Sequence, residues 1–412
     1  MKVLIADPVS SEGIEIIKSV AQVDTKTGLK EDELVSIIGD YEAMVVRSQT
    51  QVTAKVIEAG KKLMVIGRAG VGIDNIDVEE ATRRGIVVVN APTGNTISAA
   101  EHAIALMLAL ARHIPQANTS LKSGAWKRSA FMGTEVRGKT LGIIGLGNVG
   151  SEVARRACGL EMKLIAHDPF VSVDHAKKLE VELVPLKKLL KESDFITLHI
   201  PRTESTKGLI GDKELALVKP SAYIINCARG GLIDEEALVK AIKEERLAGA
   251  AIDVFVPEPI TESILFEDNK IIVTPHLGAS TTEAQAAAAR DVAVQIVDVL
   301  KGRPARYAVN APFIPAEVMS ELAPFMKVAA MAGRLVSQLA EGQMNAIQIK
   351  YEGEIANYDT NALKAATLGG LLEGVSEERI NLVNANVVAA RRGLTVREQK
   401  EATCENYTSL IT

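Results

Sequence analysis

The sequence predicts an α/β protein built on parallel sheets, and three observations carry that prediction. Short apolar runs alternate with helical segments from the first residues onward. A glycine-rich turn joins one such run to a helix. The hydrophobic content of 47% includes only 3% aromatic residues, which suits aliphatic, Ala-rich packing of helices on sheets. At 412 residues the chain should hold roughly two to three domains, each large enough to bury its own core.

From Met1 to about Pro92, the runs 3–6, 43–46, 63–67 and 86–89 read as strands, with helices at 14–20, 31–38, 54–60 and 78–84 between them, as a parallel sheet requires. This stretch has no glycine fingerprint, so it is not expected to be a second nucleotide site. Turn residues from Asn90 to Asn95 break the pattern and mark a boundary, after which Ser98 is expected to cap a long helix reaching about His113. That helix is apolar nearly all round. It must be covered by its own sheet, a neighbouring domain or a second subunit, and a second subunit is favoured as part of the answer.

The run 139–144 ends in Gly145-Leu146-Gly147-Asn148-Val149-Gly150 and is followed by the helix-forming 151–156. This is the strand, turn and helix that cradle a pyrophosphate. Gly145 permits the tight turn, Gly147 lets the backbone approach phosphates, and Gly150 lets helix pack on strand. A bare structural turn would look the same, but a second strand, 164–167, ends at Asp168, roughly 20 residues on, where a ribose-binding carboxylate should fall. Together the two features point to a bound dinucleotide. Strands at 195–200, 223–227, 249–255 and 270–274, with helices at 212–218 and 234–248, continue this domain. The long helix 281–300 is expected to return the chain to the first domain, giving a discontinuous domain 1–95 with 283–311 around a nucleotide domain 96–282. From 312 to 412 the composition changes. A helix 316–341, a strand 346–351, a helix 361–372 and a segment 380–390 of either kind are expected, with no cluster of catalytic residue types.

The net charge of -5 and the pI near 5.9 argue against a nucleic-acid surface or a polybasic membrane anchor. Cys158, Cys227 and Cys404 are scattered without metal-ligand spacing, so no metal site or disulfide framework is expected and a reducing compartment, the cytoplasm, is the natural setting. The run 3–6 is too short for a signal-peptide core, and the longest apolar run, 103–111, falls short of a membrane span.

Three polar residues lie at strand ends or in loops of the nucleotide domain: Arg229, Glu258 and His276. Alone, each has a bland reading, as a surface charge before a helix, a loop carboxylate and a satisfied loop histidine. Together they suit hydride removal from a 2-hydroxy acid. His276 can take the hydroxyl proton, Glu258 can fix its tautomer, and Arg229 can fork onto the substrate carboxylate. His102, His113, His175 and His199 read as structural, and Trp126-Lys127-Arg128 as a segment that packs across an interface.

The segments 145–150, 167–169, 226–231, 253–259 and 275–279 resemble those of the D-isomer-specific 2-hydroxyacid dehydrogenases, strongly over 1–311 and more loosely over 312–412. The resemblance implies a Rossmann-type NAD-binding domain inserted in a discontinuous flavodoxin-like substrate-binding domain, plus a C-terminal α+β accessory region. It implies Arg229 on the substrate carboxylate, Glu258 and His276 as acid/base pair, and Asp253 on the nicotinamide carboxamide. Gly145, Gly147, Asn148, Val149, Gly150, Asp168, Ile200, Cys227, Ala228, Arg229, His276, Leu277, Gly278 and Ala279 fall where the family contacts NAD. At Val71 and Ile200 some members carry threonine, so only backbone contacts are expected there. The segments 46–48, 67–75 and 131–135 resemble members acting on a phosphorylated 2-hydroxy acid, 3-phosphoglycerate, with Arg47 and Arg68 joining Arg229 and His276 around the substrate. Glycerate or glyoxylate chemistry, or an NADH-sensing co-regulator, are the alternatives. A homodimer or homotetramer is implied. The region from 312 resembles the intervening domain of long members, which run on to a small serine-binding regulatory domain. The β-prone run 406–412 is expected to leave that domain incomplete or to pair differently, less stable than the catalytic body and prone to self-association.

Overall fold

The computed structural model describes residues 1–374 and 379–412. The chain divides into two compact units, Met1–Gly94 with Gln285–Thr412, and Asn95–Ala284.

The first unit opens with β1 (Lys2–Ile5), β2 (Gln22–Thr25), β3 (Ala43–Val46), β4 (Val65–Arg68) and β5 (Val87–Val89). They form one parallel sheet in the order β2-β1-β3-β4-β5. The order reverses between β1 and β3, so the crevice of this sheet lies beyond the C-terminal ends of those two strands. β2 is an addition to the expected strands. Its Gln22-Val23-Asp24-Thr25 has no apolar run because it lies at the sheet edge with no buried residue. One face of the sheet packs Leu4, Met44, Ile66 and Val88 against Leu34 and Ile57. The opposite face packs Val3, Ile5, Val45 and Val65 against Ala288, Val292 and Ile296 of the helix Thr282–Leu300. That helix lies so close that a Cβ on Gly67 would sit 2.4 Å from Val292 Cγ1.

The second unit contains β6 (Thr140–Ile144), β7 (Lys163–His167), β8 (Glu182–Leu183), β9 (Phe195–Leu198), β10 (Tyr223–Asn226), β11 (Gly249–Ile252) and β12 (Ile271–Val273). They form a parallel sheet in the order β12-β11-β10-β9-β6-β7-β8, the doubly wound order with one strand added, reversing between β6 and β9. The long apolar helix spans Thr96–Ala111 with Asn95 as its N-cap, so Ser98 lies inside it rather than capping it. The Ser98 hydroxyl instead donates to Gly278 O at 2.8 Å. Ala100, Ala103, Leu106, Met107 and Leu110 of this helix are buried on Leu141, Ile143, Val153 and Ile225. Its own unit therefore supplies most of the cover that the sequence reading assigned in part to a second subunit.

Residues beyond 312 add β13 (Ala346–Gly353), β14 (Thr395–Glu401) and β15 (Ser409–Ile411) to the first unit, in the order β14-β13-β15. β14 pairs parallel and β15 antiparallel to β13. The helices Ala316–Leu339 and Asn361–Glu373 accompany this sheet, and the segment 380–390 resolves into the helix Ala385–Arg391. The β-prone end of the sequence thus forms an edge strand with one paired neighbour. No single helix among the described residues is long and apolar enough to cross a membrane.

Candidate active site

The fingerprint turn follows β6 at the point where the strand order reverses. Gly145 adopts φ +92°, and a Cβ there would sit 2.6 Å from both His199 O and Ile200 Cγ2. At Gly150 a Cβ would lie 2.0 Å from Gly145 O, so the helix Asn148–Gly159 can pack on its strand only with glycine there. Around Gly147, the N-cap of that helix, nothing lies within 4 Å of a Cβ position, which leaves open space in front of the helix N-terminus. The N–H groups of Asn148 and Val149 belong to the first helical turn, the positive end of the helix dipole, where an anion is favoured. Asp168, after β7, accepts from Leu146 N (2.8 Å) on Oδ2 and from Phe170 N (2.9 Å) on Oδ1. It is thereby tied to the fingerprint turn, and because Oδ1 also accepts from Val171 N (3.3 Å), the lone pair left for a ribose hydroxyl is on Oδ2. These residues fit a dinucleotide. Loss of solvent around its ring pushes His199 down to about 4, so it is neutral and holds Thr197 Oγ1 at 2.9 Å, a structural histidine.

The loops after β10, β11 and β12 bring the three chemistry-bearing residues together. Asn226, 2% exposed, accepts from Ala228 N and donates to Arg229 O (2.9 Å), folding the 226–229 segment into a tight turn. The Arg229 guanidinium donates to Ala228 O at 2.7 Å. A Cβ on Gly230 would sit 2.2 Å from Phe255 O, so this turn lies directly on the loop that carries Glu258. Glu258 Oε1 accepts from Phe255 N (2.8 Å), and Oε2 lies 2.6 Å from His276 Nδ1. Burial alone would raise the Glu258 carboxyl, but the hydrogen bonds from His276 and Phe255 outweigh it and hold the group below the usual carboxylate range. With Nδ1 committed to a carboxylate, Nδ1 carries the proton and Nε2 is the free face of the ring. His276 itself sits at φ 54°, a left-handed conformation uncommon outside glycine and maintained here by the hydrogen bonds of its loop.

Those hydrogen bonds converge on Asp253, which is fully buried. Its Oδ1 accepts from Thr274 Oγ1 (2.6 Å) and Leu277 N (2.8 Å), and its Oδ2 from Gly278 N (3.0 Å). The N–H groups of Leu277 and Gly278 are therefore spent on the loop itself, and their carbonyls already accept from Ser280 N and Ser98 Oγ. His102, expected to be purely structural, stands 3.2 Å from Asp253 Oδ1 and 3.3 Å from Thr274 Oγ1. Burial and the charge of Asp253 push the Cys227 thiol up, so it stays protonated and forms a wall rather than a nucleophile.

In the first unit Arg47 follows β3 and Arg68 ends β4, on neighbouring strands. Asp7, after β1 and 1% exposed, accepts from Arg47 N (2.6 Å), Thr50 N (3.2 Å) and Thr50 Oγ1 (2.7 Å). Asn75 Nδ2 donates to Arg47 O and Thr50 O, both at 2.7 Å. The loop bearing Arg47 is thus pinned from two sides at the switch point of its sheet. The Arg68 guanidinium folds over Gly70. Asp7 and Thr274 carry no role in the sequence-based expectations, and His102 carries only a structural one. The signal available for Asp7 was a carboxylate directly after the first strand, and for His102 a lone histidine one turn beyond Ser98 in an apolar helix.

Residues 104–278 match the model of the D-isomer specific 2-hydroxyacid dehydrogenase NAD-binding domain, and residues 321–412 that of the D-3-phosphoglycerate dehydrogenase intervening domain. The chain is 53% identical over 411 residues to a D-3-phosphoglycerate dehydrogenase of Synechocystis sp., covering 100% of this chain and 74% of the relative. It is 48% identical over 413 residues to one of Archaeoglobus fulgidus, covering 100% and 78%. Among solved structures, a glyoxylate reductase from Paecilomyes thermophila matches with a TM-score of 0.68 at 30% identity, covering 75% of this chain and 98% of the other. The apo D-lactate dehydrogenase of Escherichia coli matches at 0.67 and 26%, covering 75% and 100%.

Proposed function

The chain belongs to the D-3-phosphoglycerate dehydrogenases, within the D-isomer specific 2-hydroxyacid dehydrogenases, and from that membership we propose that His276, Glu258 and Arg229 carry its chemistry. The protein is an NAD-dependent oxidoreductase that oxidises 3-phospho-D-glycerate to 3-phosphohydroxypyruvate, the first step toward serine. NAD, when bound, supplies the hydride acceptor. The free Nε2 of His276 takes the proton of the C2 hydroxyl as the carbonyl forms. Glu258, ionised and 2.6 Å from Nδ1, balances the imidazolium that results. Arg229 forks onto the substrate carboxylate and orients C2. Asp253 meets the nicotinamide carboxamide, and Asp168 accepts from the ribose hydroxyls while opposing a 2′-phosphate. Gly145, Gly147 and Gly150, with Asn148 and Val149, hold the pyrophosphate, and Ile200, Cys227, Ala228, Leu277, Gly278 and Ala279 line the cofactor. Arg47 and Arg68 meet the substrate phosphate.

The observation that carries this reading is the Glu258–His276 contact among loops that also form a dinucleotide cradle. The test follows NADH absorbance with 3-phosphoglycerate, glycerate and lactate in parallel, each with NAD and with NADP. Phosphoglycerate with NAD should turn over best. Equal rates on glycerate would remove the phosphate assignment, and NADH binding without turnover on any acid would favour a sensing role. The working form is a homo-oligomer in the cytoplasm. Ile114, Leu121, Trp126 and Met132 are 55%, 57%, 81% and 82% exposed on the second unit, apolar surface that a second copy would cover. Three free cysteines suit a reducing compartment.

A further inference from the structure

We propose that His102 is a positioning residue for the reaction: from the helix Thr96–Ala111 it fixes the Asp253 carboxylate, and through it the turn that carries His276. The inference rests on the reading of Asp253 as the nicotinamide contact and of His276 as the base.

A carboxylate with no solvent exposure must have its charge met by donors. Three of the donors to Asp253, namely Thr274 Oγ1, Leu277 N and Gly278 N, belong to the same stretch of chain, 274–278, that Asp253 is supposed to hold still. Donors that move with the loop cannot anchor it. His102 Nε2, 3.2 Å from Oδ1, comes from outside that stretch, on a helix whose buried face is packed in the unit's core. Because Asp253 is an acceptor only, the proton of His102 sits on Nε2 and points at the carboxylate. Cys227 is the third member of the cluster, with its sulfur, His102 and Asp253 ligand atoms all within 4.8 Å of one another. Its thiol, kept protonated by burial, brings no positive charge. One helical turn before His102, Ser98 Oγ donates to Gly278 O at 2.8 Å. Ser98 and His102, at positions i and i+4 on one face, therefore grip both ends of the turn. Oδ1 is filled by three donors and Oδ2 by one, which leaves the open lone pair of the carboxylate on Oδ2. Without His102 the carboxylate can rotate with its loop, and His276, in its left-handed conformation, rotates with it.

The test compares His102→Leu, which removes the donor, with His102→Gln, which keeps one on a side chain able to reach Asp253. The readouts are NADH affinity by cofactor fluorescence, kcat and KM with 3-phosphoglycerate, and amide exchange of residues 274–280 without cofactor. Loss of a hydrogen bond to a charged group should cost about tenfold. His102→Leu should weaken NADH binding and lower kcat by about that factor, leave KM for phosphoglycerate within about twofold, and speed exchange at Leu277 and Gly278. His102→Gln should restore most of each. Wild-type exchange and NADH affinity in His102→Leu, or a Gln variant no better than the Leu variant, would overturn the proposal. Asp253→Asn separates the two layers. If NADH affinity survives Asp253→Asn, the carboxamide reading fails, while exchange at 277 and 278 still reports whether His102 anchors the turn.

Discussion

Each of the two parallel sheets ends one strand in a carboxylate almost closed to solvent, Asp7 after β1 and Asp253 after β11, and the two are used differently. Asp7 gathers two backbone N–H groups and a hydroxyl from one loop, 47–50, and so presents Arg47 at the switch point of a five-stranded sheet. Asp253 gathers donors from the loop after β12 and also an imidazole from a helix. On the proposed roles Arg47 has only to be present as a charge. On the same roles the loop after β12 carries a base whose ring must be aimed, and beyond Asp253 it is held by the helix bearing Ser98 and His102, as the Arg47 loop is held beyond Asp7 by Asn75. In both sheets a buried carboxylate after a strand holds a loop, and Asp253 differs in also taking a donor from a helix.

The largest effects should come from removing what each loop carries. His276→Ala should lower kcat by roughly 10²- to 10⁴-fold while leaving NADH affinity nearly intact. Turnover near wild type would end its assignment as base. Arg47→Ala, the counterpart on the other sheet, should cost phosphoglycerate about 1.5–3 kcal/mol in kcat/KM and leave glycerate almost unchanged. Equal losses on both acids would make Arg47 structural.

Removing the anchors tests the comparison further. Asp7→Ala leaves two N–H groups without their acceptor and should destabilise the protein by about 1–3 kcal/mol, raise KM for phosphoglycerate and spare NADH affinity. A cofactor defect of equal size would show that the two carboxylates do not serve separate ligands. The smallest effect is in acid. Asp253 and Glu258 are both held below the usual carboxylate range: burial would raise each, and the hydrogen bonds from His102, Thr274 and Leu277, and from His276 and Phe255, outweigh it. Groups with a depressed folded-state pKa add stability that is complete above their unfolded values, about pH 4, and is lost as pH falls through the folded ones. The gap in urea midpoint between wild type and Asp253→Asn should therefore be constant near neutrality and close as pH drops below about 4. A gap that widens in acid would contradict the sign.

What the sequence made legible was whatever a short stretch decides by itself. The turn Gly145–Gly150 is specified by its own backbone, and Arg229, Glu258 and His276 each lie in the loop that follows an apolar strand, so residue type and place were readable together. Pairing was not. The contact between Arg47 N and Asp7 joins residues 40 apart, and His102 meets Thr274 across 172, so residue type was visible in each neighbourhood and the partner was not. β2 and β14 were missed because edge strands need no apolar run: Thr395–Glu401 is Thr-Val-Arg-Glu-Gln-Lys-Glu and is paired on one side only. Ser98 was mistaken for a cap because its hydroxyl goes to a carbonyl 180 residues away.

The packing of Val292 and Ile296 over Gly67 has a consequence for how the chain is made. The unit Asn95–Ala284 is one uninterrupted stretch, whereas the unit it interrupts needs the helix Thr282–Leu300 to cover one face of its first sheet. As the chain leaves the ribosome, β1 to β5 emerge first with Ile17 of the helix Ser11–Lys18 on this face, but the part that Ala288, Val292 and Ile296 cover stays open to water until about residue 300 has been added. The part of the protein synthesised first is therefore completed after the part synthesised second, and the nascent sheet waits through the whole of the nucleotide unit with part of its aliphatic face uncovered, a surface on which a chaperone can act.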